Sequence, residues 1–155
     1  MRGNLGRKVM SRKNYNPTCL IVDDDATSRL IITNMAHSLG FSTHESYDGR
    51  HALERCLRKL PDLILLDLYM PEMDGFDFLR RLRQHEGHLR LRGKLQQPVN
   101  VIICSADYDQ IYACERSNWL ADGHLCKPFT AEDLANKLHS IDILSPRPYQ
   151  RVANM

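Results

Sequence analysis

The sequence predicts an α/β domain in which one parallel sheet is covered by helices on both faces. Short apolar runs alternate with amphipathic segments five times along the chain, which favours parallel strands joined by right-handed helical crossovers. Most of these runs are continuously apolar, as expected for strands that are buried on both sides. At 155 residues and 43% hydrophobic content, the chain is long enough to form one core of this kind.

The candidate strands are short runs bounded by turn residues or by charges. The first run lies between Pro17 and three successive carboxylates, and the third lies between Pro61 and Asp67. The fifth ends at Lys127, which Pro128 follows. In chain order, the predicted strands are Thr18–Val22, Ser42–Ser46, Leu63–Leu66, Asn100–Cys104 and His124–Cys126.

The candidate helices carry apolar residues at three- and four-residue spacing, which is typical of a helix with one buried face. Gly40 is suited to end the first helix, and Asp74-Gly75 to open the third. The last helix begins with Thr130 and has Asp133 three residues later, a pattern that resembles a capping box. The predicted helices are Ala26–Leu39, Gly49–Lys59, Phe76–Gln84, Gln110–Trp119 and Ala131–Leu144.

The chain is predicted to hold a single folded domain, 18–144, between two irregular ends. Residues 1–17 are polar and basic and are interpreted as a flexible arm, and residues 145–155 as a tail. The segment Gln84–Gln97 is interpreted as a long polar connection between the third helix and the fourth strand.

Composition excludes several classes of function. No apolar run approaches the roughly 18 residues that a membrane span needs, and no secretory signal follows the basic amino terminus. A cytoplasmic protein without membrane insertion is therefore expected. The five cysteines form no C-x-x-C pair and the seven histidines form no H-x-x-x-H pair, so a zinc site is not indicated.

Positive charge is concentrated in the amino-terminal arm and in residues 80–94, although the net charge is only +2. Such clusters can contact nucleic acid or an acidic partner. Aromatic residues that would stack on bases are not interleaved with them. Solvated surface is therefore the favoured interpretation, and nucleic acid is not expected as a partner.

Polar residues follow four of the predicted strands. Asp23 and Asp24 follow the first strand, Asp67 the third, Ser105 the fourth and Lys127 the fifth. Because parallel strands end at the same edge of a sheet, these side chains are expected to meet in one crevice. Carboxylate oxygens suit Mg²⁺, a lysine balances their charge, and an aspartate so placed can attack phosphorus to form an acyl phosphate.

Over 18–144, the chain resembles the receiver domain of two-component response regulators, in particular stand-alone receivers of the chemotaxis kind. The matching segments are 21–25 (IVDDD), 65–75 (LLDLYMPEMDG), 104–106 (CSA) and 127–130 (KPFT). The resemblance implies a flavodoxin-like sheet of five strands in the order 2-1-3-4-5. It also implies a switch that a histidine kinase or a histidine phosphotransfer protein phosphorylates, rather than an enzyme that turns over a metabolite.

The resemblance implies a role for each residue at the acidic edge. Asp67 matches the phosphoryl acceptor. Asp23 and Asp24 match the acidic pair, which binds Mg²⁺ together with Asp67 and the backbone carbonyl of Tyr69. Asp25 lies just past this pair and is expected to cap the first helix instead of binding metal.

The resemblance also implies how the signal leaves the site. Ser105 matches the switch hydroxyl and Lys127 the lysine at the phosphorylation site, and Pro128 is expected to follow a cis peptide bond. The output face would be built from the fourth helix, the fifth strand and the fifth helix, and homodimerisation is left open. His124 stands where the family usually has tyrosine or phenylalanine, so we expect weaker or pH-dependent coupling to the output.

Two alternatives stay open at this stage. One is an interaction module that keeps the fold and does not use phosphorylation. The other is an aspartate-dependent phosphatase or phosphotransferase, which would need a second acid two residues after the nucleophile, where this chain has Tyr69. The sequence does not indicate the cognate kinase, the output target, the oligomeric state or whether the chain is a fragment of a longer regulator.

Overall fold

The computed structural model describes residues 16–107, 109, 120–141 and 143. Strands and helices alternate as the sequence predicts up to the fourth strand, and the helix predicted after that strand lies outside the described residues. We number them in chain order, so that α4 is the fifth of the predicted helices. The elements are β1 (Thr18–Val22), α1 (Ala26–Ser38), β2 (Ser42–Ser46), α2 (Gly49–Arg58), β3 (Leu63–Leu66), α3 (Gly75–Leu91), β4 (Asn100–Ser105), β5 (Gly123–Cys126) and α4 (Ala131–Ser140).

The strands form one parallel sheet in the order β2-β1-β3-β4-β5, which confirms the predicted topology. Successive side chains on a strand point to opposite faces, so each buried strand contributes to two apolar layers. One layer lies under α1 and α4, where Ile32 and Leu134 are buried. The other lies under α2 and α3, where Ala52 and Phe78 are buried. The sheet is therefore covered on both faces, as the apolar strands require.

Side-chain caps begin the described helices at the expected places. The carboxylate of Asp25 accepts a hydrogen bond from Ser28 N at the start of α1, which confirms its predicted capping role. Asp74 caps α3 in the same way. Thr130 and Asp133 form the reciprocal bonds of a capping box at α4.

The prediction that the third helix ends at Gln84 is wrong, because α3 continues to Leu91. The segment Gln84–Gln97 is therefore helical in its first half. The sequence looked polar there because the core-facing position after Leu82 is Glu86, which is 2% exposed. The helix ends at Leu91, and Gly93 two residues later has a φ of 68°, which suits glycine.

The last predicted helix is also corrected, since α4 ends at Ser140 instead of Leu144. Ile143 N donates a hydrogen bond to the carbonyl of Leu138, a bond typical of a helix end. The predicted helix Gln110–Trp119, most of the predicted arm (1–15) and the tail (145–155) lie outside the described residues. No helix in the described part is both long and apolar enough to cross a bilayer.

Candidate functional site

The register of the sheet brings the predicted site residues to one edge. Val22 of β1 pairs with Leu66 of β3, so the residues that follow them, Asp23 and Asp67, leave the sheet side by side. On the other side of β3, Ser105 ends β4 and its carbonyl accepts a hydrogen bond from the backbone N–H of Lys127. The crevice expected from the sequence is therefore present.

Three carboxylates converge in this crevice. One oxygen from each of Asp23, Asp24 and Asp67 lies within 4.8 Å of the others. Asp23 is 1% exposed and Asp67 is 9% exposed, whereas Asp24 faces solvent. Three hard oxygen donors this close together fit a divalent cation that keeps several waters. The donor set therefore suits Mg²⁺ better than a metal that prefers nitrogen or sulfur ligands.

Lys127 supplies the positive charge of the cluster. Its Nζ lies 2.5 Å from Asp23 Oδ2 and 4.0 Å from Asp67 Oδ2. Burial works to lower the pKa of this ammonium, but the hydrogen bond to Asp23 and the charges of both carboxylates outweigh burial and raise the pKa of Lys127. The lysine therefore stays cationic and balances part of the negative charge.

Asp23 is held firmly by the start of α1. Its Oδ1 accepts a hydrogen bond from Asp25 N at 2.9 Å, and its Oδ2 accepts one from Ser28 Oγ at 2.6 Å. The guanidinium of Arg29 also donates to the backbone carbonyls of Asp23 and Asp24. Ser28 and Arg29 were not singled out from the sequence, although their place in the first helical turn after the acidic pair is a usable signal.

Asp67 is held less tightly than Asp23, and the pKa of its carboxyl is raised. Burial raises the pKa of its carboxyl to about 6, with a further increase from the Asp23 charge, against the opposing effect of Lys127. The backbone N–H of Tyr69 donates to Asp67 Oδ1 over a long 3.4 Å. Of the two buried carboxylates, Asp67 therefore has the oxygens that are more available for chemistry.

Ser105 and Tyr69 meet at Asp107, on the side of the crevice away from α1. Ser105 is fully buried, and its Oγ accepts a hydrogen bond from Asp107 N at 3.2 Å. The phenol of Tyr69 donates to Asp107 Oδ2 at 3.1 Å. Half of the Tyr69 side chain remains exposed, so this hydrogen bond lies at the surface of the protein.

The remaining predicted site residues lie on and after β5. The Lys127–Pro128 peptide bond is cis. His124 is half-buried on β5 and lies in register with Ile103 of β4. This register places His124 on the α2 and α3 side of the sheet, away from the layer that contains Leu125.

The loop between Asp67 and α3 is packed so closely that Gly75 has no room for a side chain. A Cβ at this position would lie 2.5 Å from the carbonyl oxygen of Asp67 and 2.9 Å from Leu68 Cα. Both neighbours are backbone atoms, so the loop would have to move. Glycine at position 75 therefore allows the start of α3 to pack directly against the backbone of Asp67 and Leu68.

We expect Gly75→Ala to lower the free energy of unfolding by about 1 to 3 kcal/mol, because the added methyl overpacks the loop. Gly87→Ala is the matched control, since this α3 glycine has open space around its Cα. It should raise stability by about 0.5 to 1 kcal/mol through helix propensity. Urea denaturation measures both, and equal effects of the two substitutions would contradict the close contact at Gly75.

Comparison with known proteins agrees with this geometry. The family described as response regulator receiver domain matches residues 19–139. Chemotaxis protein CheY-3 of Vibrio cholerae serotype O1 is 36% identical over 129 residues, which cover 83% of this chain and 93% of that protein. Chemotaxis protein CheY of Pseudomonas aeruginosa is 38% identical over 123 residues, which cover 79% of this chain and 93% of that protein.

A solved structure agrees as well. The receiver domain of a sensor histidine kinase from Pseudomonas aeruginosa PAO1, with a magnesium ion coordinated in its active-site cleft, superposes with a TM-score of 0.67 at 26% identity. The match covers 82% of this chain and 98% of that one. The protein is thus a phosphoryl-accepting signalling module, and the chain belongs to the family of response regulator receiver domains.

Proposed function

We propose that Asp67 is the residue that accepts the phosphoryl group. The supporting observation is the position of its carboxylate, with Asp23 and Asp24 within 4.8 Å and the ammonium of Lys127 at 4.0 Å. Hydrogen bonds of 2.9 Å or less engage both oxygens of Asp23, whereas the bond from Tyr69 N to Asp67 is 3.4 Å. A weakly engaged carboxylate oxygen is the better nucleophile of the two.

The proposal includes Mg²⁺, held by the carboxylates of Asp23, Asp24 and Asp67 and by the backbone carbonyl of Tyr69. The carboxylate oxygens are the donor type that Mg²⁺ prefers. When bound, the ion neutralises charge on the transferring phosphoryl group. Asp23 is oriented for this role by Ser28 and by the backbone of the first helical turn.

The donor in this proposal is the phosphohistidine of a histidine kinase or of a histidine phosphotransfer protein. An oxygen of Asp67 attacks phosphorus, the phosphorus–nitrogen bond breaks, and the imidazole leaves with the bonding electron pair and takes up a proton from water. The ammonium of Lys127 and the hydroxyl of Ser105 then bind phosphoryl oxygens. The domain catalyses only its own phosphorylation and dephosphorylation, and we place this activity in the cytoplasm.

Incubation with acetyl phosphate and Mg²⁺, followed by intact mass measurement, tests the acceptor. We expect one added phosphoryl group in the wild type and none in Asp67→Asn, because an amide does not form the acyl phosphate. Asp25→Asn is the matched control, since an asparagine still caps α1 and Asp25 lies outside the proposed metal ligands. This variant should be labelled like the wild type.

Other outcomes would point to the alternatives. No adduct in the wild type would favour an interaction module that does not use phosphorylation. An adduct that persists in Asp67→Asn would move the acceptor to another residue. Turnover of a generic phosphomonoester, abolished by Asp67→Asn, would favour a phosphatase.

We further propose that phosphorylation changes the affinity of a face formed by the segment 110–119, β5 and α4 for a target protein. The segment 110–119 lies outside the described residues, so β5 and α4 carry the argument. Ser105, Lys127 and His124 all lie on or next to the paired strands β4 and β5. A movement of Ser105 toward the phosphoryl group would thus act on the strand that carries His124.

We expect His124→Tyr to strengthen the coupling between phosphorylation and target binding and to remove its dependence on pH. A charged imidazole resists burial, whereas a tyrosine side chain stays neutral between about pH 5 and 8. The measurement is target affinity, with and without phosphorylation, across this pH range. Identical profiles for wild type and variant would show that His124 has no switching role.

A further inference from the structure

A groove of about 330 Å³ lies between α2, the start of β1 and the edge strand β2. One stripe of α2 lines it, because His51, Glu54, Arg55 and Arg58 recur at three- and four-residue spacing. The acidic crevice lies at the carboxyl ends of the strands, whereas this groove includes Thr18 at the beginning of β1. The groove is therefore a separate site that the phosphorylation chemistry does not use.

One end of the groove carries a concentration of positive charge without acceptors. Arg55, Arg58 and Lys59 line it, and within the described part of the chain no ion pair or side-chain hydrogen bond engages these three groups. Among the lining residues that the structure describes, Glu54 is the one acid. The cationic end therefore has an excess of charge that an anion can neutralise.

The dipole of α2 accounts for only part of this arrangement. Cations near the carboxyl end of a helix offset its partial negative charge, and α2 ends at Arg58. That effect does not require the cations to line a concave surface, and one side chain in the last turn is enough to produce it. Two guanidinium groups one turn apart instead provide the forked donors that bind phosphate oxygens in pairs.

The other end of the groove offers flat rings and apolar surface. The imidazole of His51 stacks on Tyr47 with ring centroids 4.9 Å apart, and His51 Nδ1 is buried with no hydrogen-bond partner in the described part of the chain. His44 lies on β2 in register with Leu20, and both residues line the groove. The rings and the apolar side chains can contact the organic part of a ligand.

We propose that this groove binds a small organic phosphate. The phosphate would lie against Arg55, Arg58 and Lys59, and the compact body of the ligand against His44 and His51. The volume of about 330 Å³ is at the lower end of the range for small-molecule sites, so the ligand is of metabolite or mononucleotide size. The groove would recognise the phosphate ester, irrespective of the organic group to which the phosphate is attached.

The test is a titration of the wild type with inorganic phosphate and with AMP, followed by amide chemical shifts and performed without Mg²⁺. We expect saturable shifts at the groove residues and tighter binding of AMP, because its body adds contacts with the rings. Arg55→Ala and Arg58→Ala should each weaken binding by about tenfold or more, as loss of a charge-assisted hydrogen bond predicts. Arg50→Ala is the matched control, since Arg50 is exposed on α2 and does not line the groove.

The control variant should retain the wild-type affinity, and Asp67→Asn should bind AMP as the wild type does, since the acidic crevice is not involved. Three results would overturn the proposal. The first is no perturbation of the groove by either ligand up to about 10 mM. The second is adenosine binding as tightly as AMP, and the third is an equal loss of affinity in Arg50→Ala. Because alanine favours the helix, circular dichroism should confirm that α2 is intact in each variant.

Discussion

Asp67→Asn is expected to raise the free energy of unfolding at neutral pH by roughly 3 kcal/mol. Burial is the main reason that the folded chain holds the pKa of Asp67 at about 6, instead of the ordinary value of 3.8. The wild type therefore has to ionise a carboxyl group that its folded environment disfavours. Asparagine has nearly the same shape and removes this cost, so the variant should be more stable although its site is inactive.

The sign of the effect follows from proton binding. Since the folded chain binds the Asp67 proton more tightly than the unfolded chain, the free energy of unfolding falls as pH rises from about 4 to 6. Above this pH window the folded chain bears the full cost of ionising Asp67. Below it, Asp67 is protonated in both the folded and the unfolded chain. The stability difference between wild type and variant should therefore be largest at pH 7 and should fall to about a fifth of that value near pH 4.

Urea denaturation at these two pH values, in the absence of Mg²⁺, measures the difference. Asp24→Asn is the control, because Asp24 is exposed and its replacement should change stability by less than about 1 kcal/mol. Mg²⁺ at about 100 times its Kd should stabilise the wild type by about 2.7 kcal/mol and leave Asp67→Asn less affected. A variant that is less stable than the wild type at pH 7 would contradict the burial cost at Asp67.

Glu86→Ala is expected to lower the free energy of unfolding by about 3 to 5 kcal/mol, the range for breaking a buried ion pair. Glu86 is 2% exposed, accepts a hydrogen bond from Val99 N at 2.6 Å and pairs with Arg83 at 2.9 Å. Alanine would leave the Val99 N–H and part of the Arg83 charge without their partner. It would also create a cavity beneath α3.

The network around Glu86 connects parts of the chain that are far apart in sequence. The guanidinium of Arg83 also donates to the carbonyls of Val99 and Leu120, and its Nη2 lies 3.4 Å from Asp122 Oδ2. These hydrogen bonds of Arg83 connect α3 to the start of β4 and to the turn that precedes β5. Because β5 leads to Lys127, damage here should loosen the position of the lysine as well as the helix.

Asp77→Ala provides the comparison for Glu86→Ala, since Asp77 pairs with Arg80 and Arg81 on the exposed side of the same helix. Exposed pairs of this kind contribute about 1 kcal/mol or less. Replacing both buried partners, as Arg83→Met with Glu86→Leu, should recover part of the lost stability, because no buried charge is then left unpaired although the Val99 N–H still lacks its acceptor. A loss below about 1 kcal/mol for Glu86→Ala would show that the network does not stabilise the fold.

The sequence was most informative about the functional residues that lie at the ends of strands. Asp23, Asp67, Ser105 and Lys127 each follow an apolar run, and parallel strands bring such residues to one edge whatever the details of packing. The cap at Asp25 was predictable for a similar reason, because capping depends on a few neighbouring residues. Local periodicity and strand direction are properties that a single sequence contains.

Other features could not be found in this way. The length of α3 was underestimated because the residue that continues its buried face is Glu86, which becomes compatible with the core only through Arg83 and Val99. The hydrogen bond between Tyr69 and Asp107 joins residues that are 38 positions apart in the sequence. The cationic groove likewise requires α2 to lie beside a polar edge strand. Each of these contacts depends on how distant segments pack.

The sequence by itself determined the α/β class, the strand-end residues and the kind of chemistry that they can perform. Only the tertiary structure decided that Asp23 is tightly bonded while Asp67 is not, that burial raises the pKa of Asp67, and that α3 is anchored through a buried ion pair. The physical reason is that repeating patterns and strand ends are set by neighbouring residues. Distances, desolvation and charge pairing exist only after remote segments have come together.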